Sequence, residues 1–325
     1  QSLSSAASDV YKRQSLFHAG SFPLDSNVEG IRLIHYCKKI YVPKTLRKRT
    51  LEWYHHYLCH PGGDRLAATL TQVCVWKGIV HQARTHCRHC SMCQKYKKRS
   101  TKYGHLPPKA VEPLDPWHTV CVDLIGPYSL KVNVRSTDGS VKEREVTLQA
   151  MTFIDPASSW FEIAEVPDTD RTSARISRLF DQVWLSRYPR PRKVLYDNGS
   201  EFKKNFQPLL KDFAVKATWC TSIKNPQANA ILERVHQVVG SMLKTKDLVH
   251  IKFDELDMWS PILASVAYAI RCSHHSMPNA TPGQLVFGRD MLLDLKFEPN
   301  YEKMWAQKQK RIPVSYTHLR AHETK

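Results

Sequence analysis

The chain has 325 residues, 42% of them hydrophobic and 24% charged, with a formal net charge of +18 at pH 7. That length allows two domains with separate cores, and the charge suggests a polyanionic partner. The longest apolar run, near Pro261–Ile270, is far short of the roughly 20 residues that cross a bilayer, so no membrane partner is expected.

Residues 1–30 stay unassigned. Ser5–Gln14 and Val314–Lys325 resemble read-through of sequencing adapters and are set aside, with the expectation that the natural chain continues in both directions. Residues 31–43 alternate apolar and polar (Ile31, Leu33, His35, Cys37, then Ile40, Val42), as in a short hairpin. From Thr45 to Arg99 the spacing turns helical: Leu51, Tyr54, Leu58, then Leu66, Leu70, Val73, then Ile79 to Cys87. A helical domain over 44–101 has few large apolar residues and needs a staple. Between Tyr41 and Val111 stand 14 Lys and Arg against only Glu52 and Asp64. The run Lys95, Lys97, Lys98 and Arg99 is the best candidate there for phosphate contact, a solvated face being the plain alternative. Residues 102–116, with four prolines, read as a linker.

The spacing predicts strands over Thr119–Ile125, Val146–Asp155 and Ser159–Val166, with Thr137–Ser140 turning between the first two. A helix near Ser173–Tyr188 leads to a strand at Lys193–Asp197, and the Asn225-Pro226 turn opens a further helix. This order predicts an α/β domain over 117–290, a mixed sheet flanked by helices. An extension (291–312) and an adapter-like tail (313–325) follow, and no internal repeat is found.

Two constellations carry chemistry. His55-x4-His60 and, 29 residues later, Cys90-x2-Cys93 have ligand types suited to tetrahedral zinc. Cys87 and Cys90 have the same spacing, and His56, His86 and His89 are rivals; simple packing is the bland reading. Asp123 and Asp197 each close a strand-like run, and Glu233 follows Asp197 on a helix with 35 residues between. Two strand-end aspartates and a helical glutamate can converge on a pair of divalent cations. Glu201 and Asp155 are decoys: the first falls beyond the turn, where surface exposure is expected, and the second closes a strand before Pro156 in a turn role. Nine cysteines, an odd number, without a secretory apolar region fit a reducing intracellular compartment better than a disulfide framework.

The motifs occur together in an order that resembles one family. They are Trp53 through Gly62, Cys90-Ser-Met-Cys93-Gln94-Lys95, Asp115 through Pro127, Tyr196 through Phe202, Asn225-Pro-Gln227 through Glu233-Arg-Val-His236, and Thr281 through Gly288. They are similar to the integrases of gypsy-type LTR retrotransposons, relatives of retroviral integrases. The resemblance runs from about Tyr41 to about Ile312. It favours Cys90 and Cys93, followed as in the family by Gln94 and Lys95, as partners of His55 and His60 on one structural Zn²⁺. It implies an RNase H-like catalytic core behind a small all-helical zinc-binding domain. Asp123, Asp197 and Glu233 would hold two Mg²⁺ or Mn²⁺ ions for 3′-end processing and strand transfer of element DNA into target DNA. Asn225, Pro226 and Gln227 would sit on a mobile loop, with His236 and Gln237 touching a DNA strand. A homo-oligomer acting in the nucleus is the corresponding setting. A complete integrase of the family carries a further β-rich DNA-binding domain, which the resemblance would place after Ile312. Two alternatives remain: a ribonuclease H-like nuclease, and a non-catalytic DNA-binding or structural protein derived from a decayed or domesticated copy.

Overall fold

The computed structural model describes residues 27–28, 31–32, 34–36, 39–97, 115–135, 140–167, 170–197, 199–219, 226–245, 252–254, 259–276, 279–293 and 295–310. Two antiparallel pairs come first: β1 (Asn27–Val28) with β2 (Ile31–Arg32), and β3 (His35–Tyr36) with β4 (Lys39–Tyr41). The second is the hairpin expected near residue 40. β4 also pairs parallel with β5 (Cys74–Val75), which joins the hairpin to the helices that follow. These are α1 (Lys44–Tyr57), α2 (Gly63–Val73), α3 (Ile79–His89) and α4 (Ser91–Tyr96). Leu51, Tyr54, Leu58, Leu66, Leu70, Val73, Trp76 and Ile79 form their core, the residues that the helical spacing picked out plus Trp76. A Cβ at Gly63 would lie 2.9 Å from the Arg84 backbone, so glycine allows α2 and α3 to meet closely.

The sheet is built from β6 (Thr119–Arg135), β7 (Val141–Ile154), β8 (Phe161–Glu165), β9 (Lys193–Tyr196) and β10 (Lys216–Trp219). Its order is β10-β9-β6-β7-β8, with β11 (Lys252–Asp254) against the far end of β6. β6, β7 and β8 are antiparallel neighbours, while β9 and β10 run parallel to β6. This mixed arrangement is the RNase H-like order. β6 is longer than expected because Gly126-Pro127 does not end it. The register shifts between Ile125 and Tyr128 and the pairing with β7 resumes. Gly126 takes φ +101°, and a Cβ there would lie 2.5 Å from the Leu148 carbonyl oxygen, so only glycine serves.

One face of the sheet packs α5 (Ser173–Phe180, continued by a π turn, Asp181–Leu185) and α6 (Phe206–Asp212). The other packs α7 (Pro226–Thr245) and α8 (Ser260–Cys272). Alternation sorts the strand residues. Val120, Val122, Met151, Phe153, Val194 and Tyr196 join Phe180, Trp184 and Phe206 on the first face. Cys121, Ile125, Ala150, Ile154 and Leu195 join Val239, Met242, Trp259 and Val266 on the second. Two short helices, α9 (Pro282–Phe287) and α10 (Tyr301–Lys310), complete the described chain, α9 being started by a capping box between Thr281 and Gln284. Among the described residues no helix is long and apolar enough to cross a membrane.

The helical module and the sheet region interlock. Cys272 of α8 is buried in the module's core, with Tyr268, Met291, Leu292 and Leu293 packed against it. Cys59 of the module is buried in the core beneath α7 and α8. The His274 amide donates to Thr69 Oγ1 of α2 at 2.9 Å. The expected linker, 102–116, lies outside the described residues except for its last two.

Candidate metal centre and carboxylate site

α1 ends at Leu58, and Cys59 and His60 both take left-handed φ values of +54° and +57°. Neither is glycine, a placement that costs about 1–2 kcal/mol per residue. The turn brings His60 back over its own helix, with its amide donating to the His55 carbonyl at 2.7 Å. His60 Nδ1 then lies 3.0 Å from His55 Nε2. Cys90, between α3 and α4, places Sγ 3.4 Å from His60 Nδ1. Cys93 Sγ lies 3.3 Å from His55 Nε2 and 3.8 Å from His60 Nδ1. Four donors on one zinc at ordinary bond lengths stand roughly 3.3–3.8 Å apart. The four residues fit that ion: their ligand atoms all lie within 4.8 Å of one another. Burial pushes His55 down to about 3 and His60 to about 4, which keeps both imidazoles neutral and able to bind metal. The same burial raises the Cys93 thiol to about 11, a penalty that a cation among the four donors relieves.

The rivals fall outside the cluster. Cys87 Sγ sits 3.4 Å from His55 Nδ1, the other ring nitrogen, and donates to the Pro61 carbonyl at 3.4 Å. That contact would orient the imidazole of a metal-bound His55. His56 and His89 are exposed, and the His86 ring packs 5.0 Å from that of His55.

The second constellation forms at the strand ends. Cys121 pairs with Leu195, so Asp123 and Asp197 stand two residues further along adjacent parallel strands. Alternation directs both towards the α7 and α8 face. Asp123 is 29% exposed, and its Oδ1 accepts from the Leu124 amide at 2.9 Å. Asp197 Oδ1 accepts from the Gly199 amide at 3.1 Å. Burial raises the Asp197 carboxyl, with a contribution from Glu201, against the Gly199 bond. Glu201 is thus half-buried and turned back over the Asp197 turn, not exposed as the sequence suggested; its carboxylate lies where a Gly199 Cβ would be.

α7 packs on the same face through Val239, Met242 and Leu243. Glu233 stands one turn before His236 on this helix, and the helical repeat gives the two a common face. The Glu233 side chain lies outside the described residues. His236, 18% exposed, turns inward. Its Nε2 is 3.0 Å from Thr152 Oγ1 and its Nδ1 3.9 Å from Asp123 Oδ2. Burial lowers its pKa. Gln237 is exposed. Pro226 and Gln227 open α7 instead of lying in a loop, and Asn225 is outside the described residues.

Asp155 has the expected turn role but is wholly buried. It accepts from the Trp117, Ala157 and Ser158 amides and from Ser158 Oγ. Lys95 is exposed, its Nζ 5.0 Å from the Tyr96 ring, while Lys97 Nζ donates to the His60 carbonyl beside the zinc ligands. Lys98 and Arg99 are outside the described residues.

Residues 42–99 match the integrase zinc binding domain family. Over 250 residues the chain is 26% identical to the Transposon Tf2-3 polyprotein of Schizosaccharomyces pombe, covering 74% of this chain and 17% of that polyprotein. The Tf2-4 polyprotein of the same yeast matches to the same extent. The chain is thus similar to transposon polyproteins over most of its length, and to the integrase zinc binding domain over residues 42–99. It spans about a sixth of the length of these curated polyproteins. Solved structures that align with this chain include the catalytic core domain of BIV integrase, at 15% identity and a TM-score of 0.37, covering 52% of this chain and 93% of that one. A simian T-cell lymphotropic virus intasome chain aligns at 13% identity and a TM-score of 0.45 over 77% of both chains. The fold assignment rests on the sheet order, not on these scores.

Two parts of the site leave little mark in the sequence. Thr152 is a polar residue on the inward apolar stripe Leu148, Ala150, Ile154, and that break in the pattern was the available signal. The inward turn of His236 had none, because helical spacing does not distinguish a DNA-facing edge from a sheet-facing one.

Proposed function

We propose that the chain is the integrase segment of a retroelement polyprotein and performs polynucleotidyl transfer: 3′-end processing of element DNA, then strand transfer into target DNA. The observation that carries this reading is the register that sets Asp123 and Asp197 on adjacent strand ends, on the face where the Glu233 helix packs. Three carboxylates supply the hard oxygen donors that Mg²⁺ or Mn²⁺ takes, so the donor set fits two such ions. When bound, the pair supplies activation of the attacking oxygen and charge stabilisation of the leaving 3′-oxygen.

The rest is the chain's own work. The Leu124 and Gly199 amides each fix one carboxylate oxygen and so orient the carboxylate at its strand end. No Ser or Tyr nucleophile is required. His55, His60, Cys90 and Cys93 hold one Zn²⁺ and tie the first helix of the helical module, residues 44–101, to its last, ahead of the core domain, residues 117–290. Lys95, Lys97, Lys98 and Arg99, with Asn225, Gln227 and Gln237, track the DNA backbone. The chain acts as a homo-oligomer on double-stranded DNA, in the nucleus where target DNA resides.

The test is incubation of the chain with labelled duplex ends and Mg²⁺ or Mn²⁺. Shortened strands and joined products are the expected result. Cutting confined to RNA–DNA hybrids supports a ribonuclease H-like nuclease instead, and tight duplex binding with neither product supports a non-catalytic DNA-binding protein.

A further inference from the structure

Asp123 and Thr152 are cross-strand partners on β6 and β7, and Thr152 is fully buried. The Thr152 hydroxyl has a single proton and donates it to the Asp123 carbonyl at 3.1 Å. Towards His236 Nε2, 3.0 Å away, the same oxygen can therefore only accept. That assigns the imidazole proton to Nε2 and leaves a lone pair on Nδ1. The lone pair faces Asp123 Oδ2 across 3.9 Å, too far for a hydrogen bond. The other carboxylate oxygen, Oδ1, accepts from the Leu124 amide. Two electron-rich atoms thus face one another within the roughly 4.2 Å that two donors, each about 2.1 Å from one ion, can span.

We propose that His236 Nδ1 is a ligand, alongside Asp123 Oδ2, to the divalent cation at Asp123, and that this nitrogen donor biases the site towards Mn²⁺ over Mg²⁺. The inference rests on the reading of Asp123 as a metal-binding carboxylate and adds a residue and a metal preference to it. Imidazole is a borderline donor that Mg²⁺ takes poorly and later first-row ions take well, whereas carboxylates accept both. Thr152 is the orienting partner: by holding Nε2–H it fixes the tautomer and aims Nδ1 at the cation, as carbonyls and carboxylates do for ligand histidines generally. His236 is placed for this by α7, which packs on the sheet through Val239 and Met242 and so sets the imidazole over β7.

The experiment uses the full zinc-loaded chain, so that His55 and His60 are occupied, labelled with ¹⁵N-histidine and titrated with Mn²⁺. Pulsed electron paramagnetic resonance reads whether a histidine nitrogen is bonded to the manganese, and calorimetry reads affinity. The expected result is a directly bound ¹⁵N signal that disappears in His236→Asn, with Mn²⁺ affinity falling about tenfold or more and Mg²⁺ affinity changing less. Thr152→Val, which keeps the side chain's shape, should weaken the nitrogen signal without changing the helical circular dichroism. Mn²⁺ that binds in an Asp123-dependent way with no nitrogen signal, or with one that persists in His236→Asn, overturns the role of His236 and leaves the carboxylate reading standing. Mn²⁺ binding that is indifferent to Asp123→Asn overturns the carboxylate reading itself, and the role of His236 with it.

Discussion

The helical module and the sheet solve the same folding problem by different means. The sheet carries an apolar layer on each face, with Phe153, Phe180, Trp184 and Phe206 under one set of helices and Trp259, Ile262 and Val266 in the other. The module has a smaller core, completed by Cys272 from α8, and two consecutive left-handed residues at its turn. It converges instead on four potential ligand atoms from α1, the turn after it, the α3–α4 junction and α4. One region is stabilised by buried area; the other depends on a point attachment that must be chemically loaded. In the sheet region, Asp123 and Asp197 stand at the ends of adjacent strands, placed by the β6–β9 register. A Zn²⁺ in the helical module and the proposed divalent cations at the carboxylates would thus be held on different scaffolds, one helical and one at the ends of strands.

Removing a zinc ligand is the severest way to break this contrast. Zinc binding by small modules reaches about 10–16 kcal/mol, most of it folding energy. Cys93→Ser or His60→Ala should therefore release close to one zinc per chain and lower the helical signal. Because Cys59 and Cys272 cross the boundary, the sheet should lose some thermal stability but keep its cooperative transition. A chelated protein with unchanged circular dichroism and no metal released would erase the distinction.

Next in size is Phe153→Ala in the sheet, expected to destabilise by about 3–5 kcal/mol while leaving zinc content unchanged. Equal loss of zinc in this variant would show that the two regions fold as one unit. Asp155→Asn should follow, at about 1–3 kcal/mol, because an amide cannot accept from all four donors around that buried carboxylate. It is a stability variant, unsuitable as a neutral control for the neighbouring carboxylates. Denaturant midpoints rank all of these.

The boundary itself has a pH signature. Burial, helped by Arg65, pushes His275 down to about 3, well below its unfolded value. The folded state thus binds fewer protons there, so this contribution is complete above about pH 6.5 and is lost as pH falls towards 3, at up to about 1.4 kcal/mol per pH unit. Stability of the zinc-loaded protein should drop between pH 7 and 5, and His275→Gln should flatten that drop. The smallest effect is electrostatic. Replacing Lys95, Lys98 and Arg99 should reduce the salt slope of DNA binding by about 0.9 for each phosphate no longer neutralised, with no change in folding. Lys97 is left out because it holds the His60 carbonyl.

How much of this was readable beforehand follows the physics of each signal. Helical spacing located the helices of the module, whose one buried face leaves a mark every third or fourth residue. Short apolar runs located the strands that lead to Asp123 and Asp197 and are buried on both faces. The sequence narrowed the zinc donors to His55, His60, Cys90 and Cys93 with Cys87, His56, His86 and His89 as alternatives, and the structure brings the ligand atoms of the first four within 4.8 Å of one another. What could not be read was set by tertiary contact. The extension of β6 past Gly126-Pro127 depends on a glycine conformation that lets the ribbon continue. The curl of Glu201 over Gly199 and the inward turn of His236 depend on neighbours distant in sequence or on space left by a missing side chain.

The most direct measurement is single-turnover cutting and joining of labelled DNA ends by the wild type, Asp123→Asn, Asp197→Asn and Glu233→Gln, each checked for zinc content. Each substitution keeps the side chain's size and removes one charge from the proposed cage, so every variant should retain its zinc and its DNA binding while metal-dependent product disappears. A double variant should be scarcely worse than a single one, as expected for residues acting as a unit. A Glu233→Gln protein that keeps full zinc and full activity would contradict the assignment of the three carboxylates.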